Sequence, residues 1–247
     1  MTFQSMTPAP ATTIAGITNV GLCVQALERA VSRATHLPGM TAFYGPSGYG
    51  KSFAASFAAN TYRAFYVECK SSWTRKAFLA AILREMGINP TKTNWEMTDQ
   101  IAEELVLSGR PLIVDEMDHL VDKKSVEVVR DIYESSQSPI LLIGEERMPN
   151  KLKKWERFHG RILDFVPAQA VTFNDCSELA KIYAPGITIE PELLRQIHKA
   201  ANGSVRRVCV NLDMIREHCL TVGIASIGTR QWTRGFFTGE APRRNIR

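Results

Sequence analysis

Cysteine is sparse and unpaired in this chain of 247 residues: Cys23, Cys69, Cys176, Cys209 and Cys219 form no C-x-x-C pair. An odd, scattered set excludes a disulfide framework and a zinc finger, and suits reduced thiols in a cytoplasm. Long apolar runs are absent as well. None approaches the ~20 residues of a membrane span, so no membrane association is expected. Residues 1–11 lack the basic start and apolar core of a secretory signal. The chain also lacks a dominant charge over most of its length. The formal net charge is +5, but Arg230, Arg234, Arg243, Arg244 and Arg247 against Glu240 alone put +4 of it in residues 226–247, leaving +1 elsewhere. That balance excludes a globally basic body, and any nucleic-acid site on it must be a local patch. With 45% hydrophobic and 22% charged residues, the chain is globular, of a length for one domain with a small appendage.

What is present is organised around Gly45-Pro46-Ser47-Gly48-Tyr49-Gly50-Lys51-Ser52, which satisfies the phosphate-loop pattern G-x-x-x-x-G-K-[ST]. Met40 to Tyr44 reads as a buried strand entering it, and the alanine-rich run Phe53 to Ala59 as a helix leaving it. Glycines permit positive φ, so successive N–H groups can curl around a phosphate, and the helix N-terminus adds partial positive charge. Lys51 is expected to reach the β- and γ-phosphates, and the Ser52 hydroxyl to ligate Mg²⁺. The spacing thus predicts a nucleoside triphosphate site.

Strands and helices alternate on either side of the loop. Residues 1–18 read as a leader of Thr, Ala and Pro, and Asn19 as the cap of a helix striped by Val20, Cys23, Val24, Leu27, Val31 and Ala34. Further strands are expected at Ala64–Cys69, Leu112–Glu116, Pro139–Ile143 and Ile162–Val166. Helices are expected from a Ser72 cap to Gly87, from Glu96 to Ser108 and over Val126–Ser135. Continuous apolar strands alternating with helices imply an α/β fold whose parallel sheet is flanked by helices on both faces. Beyond Pro167 only helices are expected, near Asp175–Tyr183, Pro191–Ala201 and Ser204–Cys219. The expected domains are therefore 19–168 for nucleotide binding, 169–225 for a small helical lid, and 226–247 for a basic tail.

Asp115 and Glu116 end the apolar strand, at the edge where parallel sheets present ligand-binding groups. Asp115 suits holding Mg²⁺ near Ser52, and Glu116 suits a general base for the attacking water. The guanine-reading Asn-Lys-x-Asp is missing, since Asn150-Lys151-Leu152-Lys153 has no carboxylate, which favours ATP over GTP.

With the phosphate loop, this acid pair and the helical appendage, residues 14–225 resemble the AAA+ P-loop ATPases. Asp-Glu-Met-Asp-His-Leu (115–120), followed by Leu-Ile-Gly-Glu-Glu (142–146), is similar more narrowly to the B protein of transposable phage Mu and to target-selecting ATPases of related transposons. The leader is shorter than the helix-turn-helix domain that the Mu protein carries ahead of its core. The resemblance implies an Mg²⁺-dependent ATPase in the cytoplasm of a bacterial host cell. It also implies a sensor-one position near Glu145, which could equally form a structural salt bridge. An arginine finger acting in trans is implied at Arg157 or Arg161, and a sensor-two arginine at Arg206 in Gly203-Ser204-Val205-Arg206.

The same resemblance implies a homo-oligomer that winds as a helical filament on double-stranded DNA and serves a transposase. Affinity without sequence choice needs cations and hydroxyls on phosphates. The local candidates are Lys70, Ser71, Trp73, Thr74, Arg75 and Lys76 before the expected third helix, and separately Lys123 and Lys124. Two other readings remain open: a helicase loader or replication initiator with the same core, and a secretion-type interaction ATPase that needs no DNA.

Overall fold

A computed structural model describes residues 16–241 and divides into two compact units, one spanning residues 19–169 and the other Thr18 with the residues from 170 onward. The chain begins with α1 (Thr18–Val31), β1 (Met40–Gly45), α2 (Lys51–Tyr62), β2 (Phe65–Glu68), α3 (Arg75–Glu85) and α4 (Asn94–Ser108). It continues through β3 (Leu112–Asp115), α5 (Asp118–Asp122), α6 (Glu127–Ser136), β4 (Ile140–Glu145), α7 (Met148–Leu152), α8 (Glu156–His159) and β5 (Ile162–Pro167). After these come α9 (Phe173–Tyr183), β6 (Thr188–Ile189), α10 (Pro191–Ala201), α11 (Val205–Val222) and β7 (Ser226–Ile227).

The larger unit is a five-stranded parallel sheet in the order β2-β3-β4-β1-β5. Its central strands are apolar on both faces because helices cover both faces: Leu112, Ile113, Val114 and Ile140 to Ile143 are fully buried. Phe78, Leu79, Ile82 and Leu83 of α3, with Met97, Ile101 and Leu105 of α4, supply much of one covering layer. All strands run the same way, so their carboxyl ends form one rim, and that rim carries the phosphate loop and the acid pair.

The local rules place the helices, with corrections at their starts. Thr93 and Glu96 close a reciprocal capping box that starts α4, two residues before the expected start. Asn19 is not a cap: α1 begins at Thr18, and Asn19 is the second helical residue with a buried side chain. Ser72 is not a cap either. Lys70 to Trp73 form a turn closed by Trp73 N–H donating to Lys70 O at 3.0 Å, so the helix waits for Thr74, whose Oγ1 accepts from Ala77 N–H. The short helices α5, α7 and α8 follow no period long enough to read in a sequence.

The smaller unit packs α9, α10 and α11 together. Thr172 and Asp175 form a second capping box, and the buried Asp175 carboxylate also accepts from Thr18 N–H and Oγ1. The basic segment after α11 belongs to the same unit. Ile227 and Trp232 are buried, and Asn211 of α11 both donates to Phe237 O and accepts from Phe237 N–H. Arg243, Arg244 and Arg247 lie outside the described residues.

Candidate nucleotide site and adjoining basic surface

The phosphate loop leaves β1 at Gly45 and enters α2 at Lys51. Gly48 and Gly50 sit at φ 84° and 80°, in the left-handed region where a side chain would be strained. Gly50 occupies the cap position of α2 with no side-chain cap, so the helix's first N–H groups face the loop. Gly45 has a different reason for being glycine: a Cβ there would lie 2.9 Å from the Ala168 Cβ. Lys51 is half-buried, and its ammonium donates to Gly45 O at 2.7 Å and Pro46 O at 3.0 Å. Burial lowers its pKa, opposed by the Glu116 and Asp115 carboxylates. Ser52 and Ser47 are exposed, and Pro46 and Tyr49 partly so.

Asp115, 1% exposed, stands at the end of β3 with each carboxylate oxygen engaged. Oδ1 accepts from Glu116 N–H at 2.7 Å, and Oδ2 accepts from the Tyr66 hydroxyl of β2 at 2.8 Å. Glu116 sits at φ 53°, a left-handed conformation that costs a non-glycine residue on the order of 1–3 kcal/mol. Its pKa is raised, first by burial and then by Asp115, with Lys51 acting the other way. Lys51, lowered, and Glu116, raised, thus share one rim with opposed perturbations, the pattern typical of a reactive site.

Asp118, for which the sequence pattern suggests no role, organises the neighbouring strand end. Its buried carboxylate accepts Glu145 N–H at 2.6 Å and takes the Lys151 ammonium of α7 at 3.3 Å; Lys151 also pairs with Asp122 at 2.8 Å. Gly144 makes room: a Cβ on it would fall 2.6 Å from Asp118 Oδ2 and closer still to Met148 Sδ. Glu145 therefore contributes its backbone, while its side chain is exposed and makes no ion pair among the described residues. Asn19 acts as a brace and not as a cap: its amide donates to Tyr49 O at 2.9 Å and Gln169 O at 2.8 Å, steadying the phosphate loop from α1.

The two arginines considered for a finger differ. Arg161 pairs with Glu134 of α6. Arg157 is exposed, lines the same charged depression with Arg130, Asp131, Glu134 and Glu156, and has no ion pair among the described residues. Arg206, in the smaller unit, is an exposed residue of the first turn of α11.

The two basic stretches that the sequence separates form one surface. Lys123 Nζ donates to Trp73 O at 2.7 Å, and Arg75 donates to Lys124 O at 3.1 Å and to Ser125 Oγ at 3.3 Å. Lys70 lies over the Trp73 ring at 5.8 Å, and Lys76 donates to Lys92 O at 2.7 Å. Lys70, Ser71, Thr74, Arg75, Lys76, Lys123 and Lys124 are all exposed.

Solved structures share this fold. The fold is the P-loop AAA+ fold. Residues 34–152 match the family described as AAA domain. The chain is similar to the ORC2 protein of Aeropyrum pernix in its ADP form, with TM-score 0.63 and 19% identity over 85% of this chain and 64% of that one. It is similar to the ORC1 protein of Aeropyrum pernix in complex with DNA, with TM-score 0.61 and 16% identity over 86% and 62%. It also resembles the RuvB Holliday junction branch migration motor of Thermotoga maritima, with TM-score 0.58 and 20% identity over 86% and 65%. The chain thus spans less than two thirds of each of these proteins. No curated protein matches its sequence. Among the described residues no helix is long and apolar enough to cross a membrane.

Proposed function

We propose that the protein is an ATP-dependent ATPase that binds double-stranded DNA without sequence choice. It assembles on target DNA as a helical filament and recruits or stimulates a transposase. One observation carries this reading: the basic surface joins Lys70–Lys76, which follow β2, to Lys123–Lys124 in the turn after α5, and β2 and β3 themselves hold Tyr66 and Asp115. A change at the nucleotide acids and a change in grip on phosphates would then share a backbone.

In this reading Gly45 to Gly50 cradle the phosphates with backbone N–H groups and Lys51 neutralises them. The triphosphate would draw Lys51 from the Gly45 and Pro46 carbonyls, which hold it in reach. The Ser52 hydroxyl and the oriented Asp115 carboxylate fit Mg²⁺, which takes one or two protein oxygens together with phosphate oxygens and water. When bound, Mg²⁺ would neutralise phosphate charge. Glu116 would accept the proton of the attacking water, its raised pKa bringing it nearer to working pH. Arg157 is the better candidate for a finger in a neighbouring copy, because Arg161 is already paired. Arg206 would sense the nucleotide in its own chain, and Glu145 would set the end of β4. The partition proposed is 19–168 for the ATPase core, 169–225 for the lid and 226–247 for a basic extension.

Binding to random duplex DNA by gel shift, with and without ATP, tests the core of the proposal. ATP-dependent retention and filaments by electron microscopy are expected. A protein that stays monomeric on duplex in both conditions would overturn it. A second reading is supported by the likeness to the ORC proteins: a replication-initiator or helicase-loading ATPase with the same site. Co-purification with a helicase rather than a transposase would select it.

A further inference from the structure

Asp115 is a carboxylate at a strand end, and its χ2 torsion has a broad, two-fold profile that does not by itself fix the plane of the oxygens. Here two donors fix it from opposite sides. The backbone N–H of Glu116 takes Oδ1 at 2.7 Å, and the Tyr66 hydroxyl takes Oδ2 at 2.8 Å. The second donor depends on strand register. Tyr66 pairs with Ile113, so its side chain leaves the sheet on the face shared by Ile113 and Asp115 and leans two residues along β3. The pairing is held at both ends of β2: Phe65 N–H donates to Pro111 O and Cys69 N–H to Asp115 O, each at 2.9 Å.

We propose that Tyr66 is a positioning residue for the nucleotide-bound Mg²⁺, its hydroxyl holding the Asp115 carboxylate in the orientation that receives the cation. This inference rests on the nucleotide reading above. Outer partners of a metal-binding carboxylate set its orientation, and their loss typically lowers metal affinity 10–100-fold. Phenylalanine would fill the same space and remove only that donor, leaving Oδ2 of a carboxylate 1% exposed without its partner. Tyr66 itself would touch neither the cation nor the phosphates.

The test is the Mg²⁺ dependence of binding of a fluorescent ATP analogue to the full chain, in wild type, Tyr66→Phe, Asp115→Asn and the double variant. Tyr66→Phe should bind the analogue like wild type in EDTA, yet need about tenfold more Mg²⁺ to reach half of the metal-dependent signal. In the Asp115→Asn background the same substitution should add no further shift, because the carboxylate it orients is gone. An unchanged or lower Mg²⁺ midpoint in Tyr66→Phe would overturn the assignment, as would an equal shift in the Asp115→Asn background. Loss of affinity in EDTA would also overturn it, since the hydroxyl would then serve the fold. Failure of the nucleotide reading looks different: wild type and Lys51→Ala would bind the analogue equally, with and without Mg²⁺.

Discussion

Lys123 and Trp73, fifty residues apart in sequence, are joined by a hydrogen bond in which the lysine ammonium donates to the tryptophan carbonyl at 2.7 Å. With Arg75 donating to Lys124 O, the bond ties the loop after β2 to the turn after α5. Each cation is thereby held near a defined place on the surface, so less side-chain freedom remains to be lost when a phosphate binds.

Binding to duplex DNA should therefore depend on the two stretches together. Lys70→Ala combined with Arg75→Ala is expected to weaken binding on every sequence alike. It should flatten the slope of log affinity against log salt by roughly 0.9 for each phosphate contact removed. Lys123→Ala should act in the same direction. A salt titration by fluorescence anisotropy on two unrelated duplexes checks both, and an unchanged slope would move the DNA site elsewhere.

The phosphate loop and the acid pair should separate binding from hydrolysis. Lys51→Ala is expected to abolish nucleotide binding, because the ammonium aimed over the loop is its only side-chain cation. Glu116→Gln should bind ATP but lower turnover by about 10²–10⁴-fold, the range that a general base contributes, and should trap the protein on DNA. Calorimetry and phosphate release measure the two effects. A fully active Glu116→Gln protein would remove Glu116 as the base.

The raised pKa of Glu116 gives two pH signatures of known sign. The acid limb of kcat/KM, which reports the free enzyme, should lie above the ordinary glutamate value of 4.5. For stability, a carboxyl whose pKa is higher folded than unfolded holds its proton more tightly in the folded state. Its contribution is fully present below the unfolded value and is lost as pH rises through the folded one. Glu116→Gln should thus gain thermal stability relative to wild type as pH is raised from 4.5 upward, by an amount that levels off once Glu116 is ionised. Melting curves of both proteins at several pH values check this, and parallel curves would contradict it.

Asp118 should matter for folding more than its place outside the proposed chemistry suggests. Asp118→Ala leaves the Glu145 N–H and the Lys151 ammonium without their buried acceptor, at a cost of about 1–3 kcal/mol. For a chain of this size that lowers Tm by roughly 2–4 °C per kcal/mol. Asp118→Asn keeps an acceptor for the Glu145 N–H and should lose less. Gly144→Ala should destabilise as well, because its Cβ would intrude on Asp118 and Met148. Urea unfolding of the three variants orders them.

The phosphate loop and the acid pair were legible from residue types and spacing alone. Glycine at positive φ, a lysine after it and acids closing an apolar run are local requirements, met by neighbours in the chain. The alternation of strand and helix was legible for the same reason, since burial on both faces writes continuous apolar runs into Leu112–Val114 and Ile140–Ile143. What tertiary structure alone decided are the relationships between segments far apart in sequence. Strand register carries the Tyr66 hydroxyl to Asp115, and the crossing of two loops merges Lys123 with Trp73. A glycine in β4 admits Asp118, and packing turns Asn19 from a supposed cap into a brace for Tyr49. These depend on which backbone passes which, and no periodicity within one segment records that.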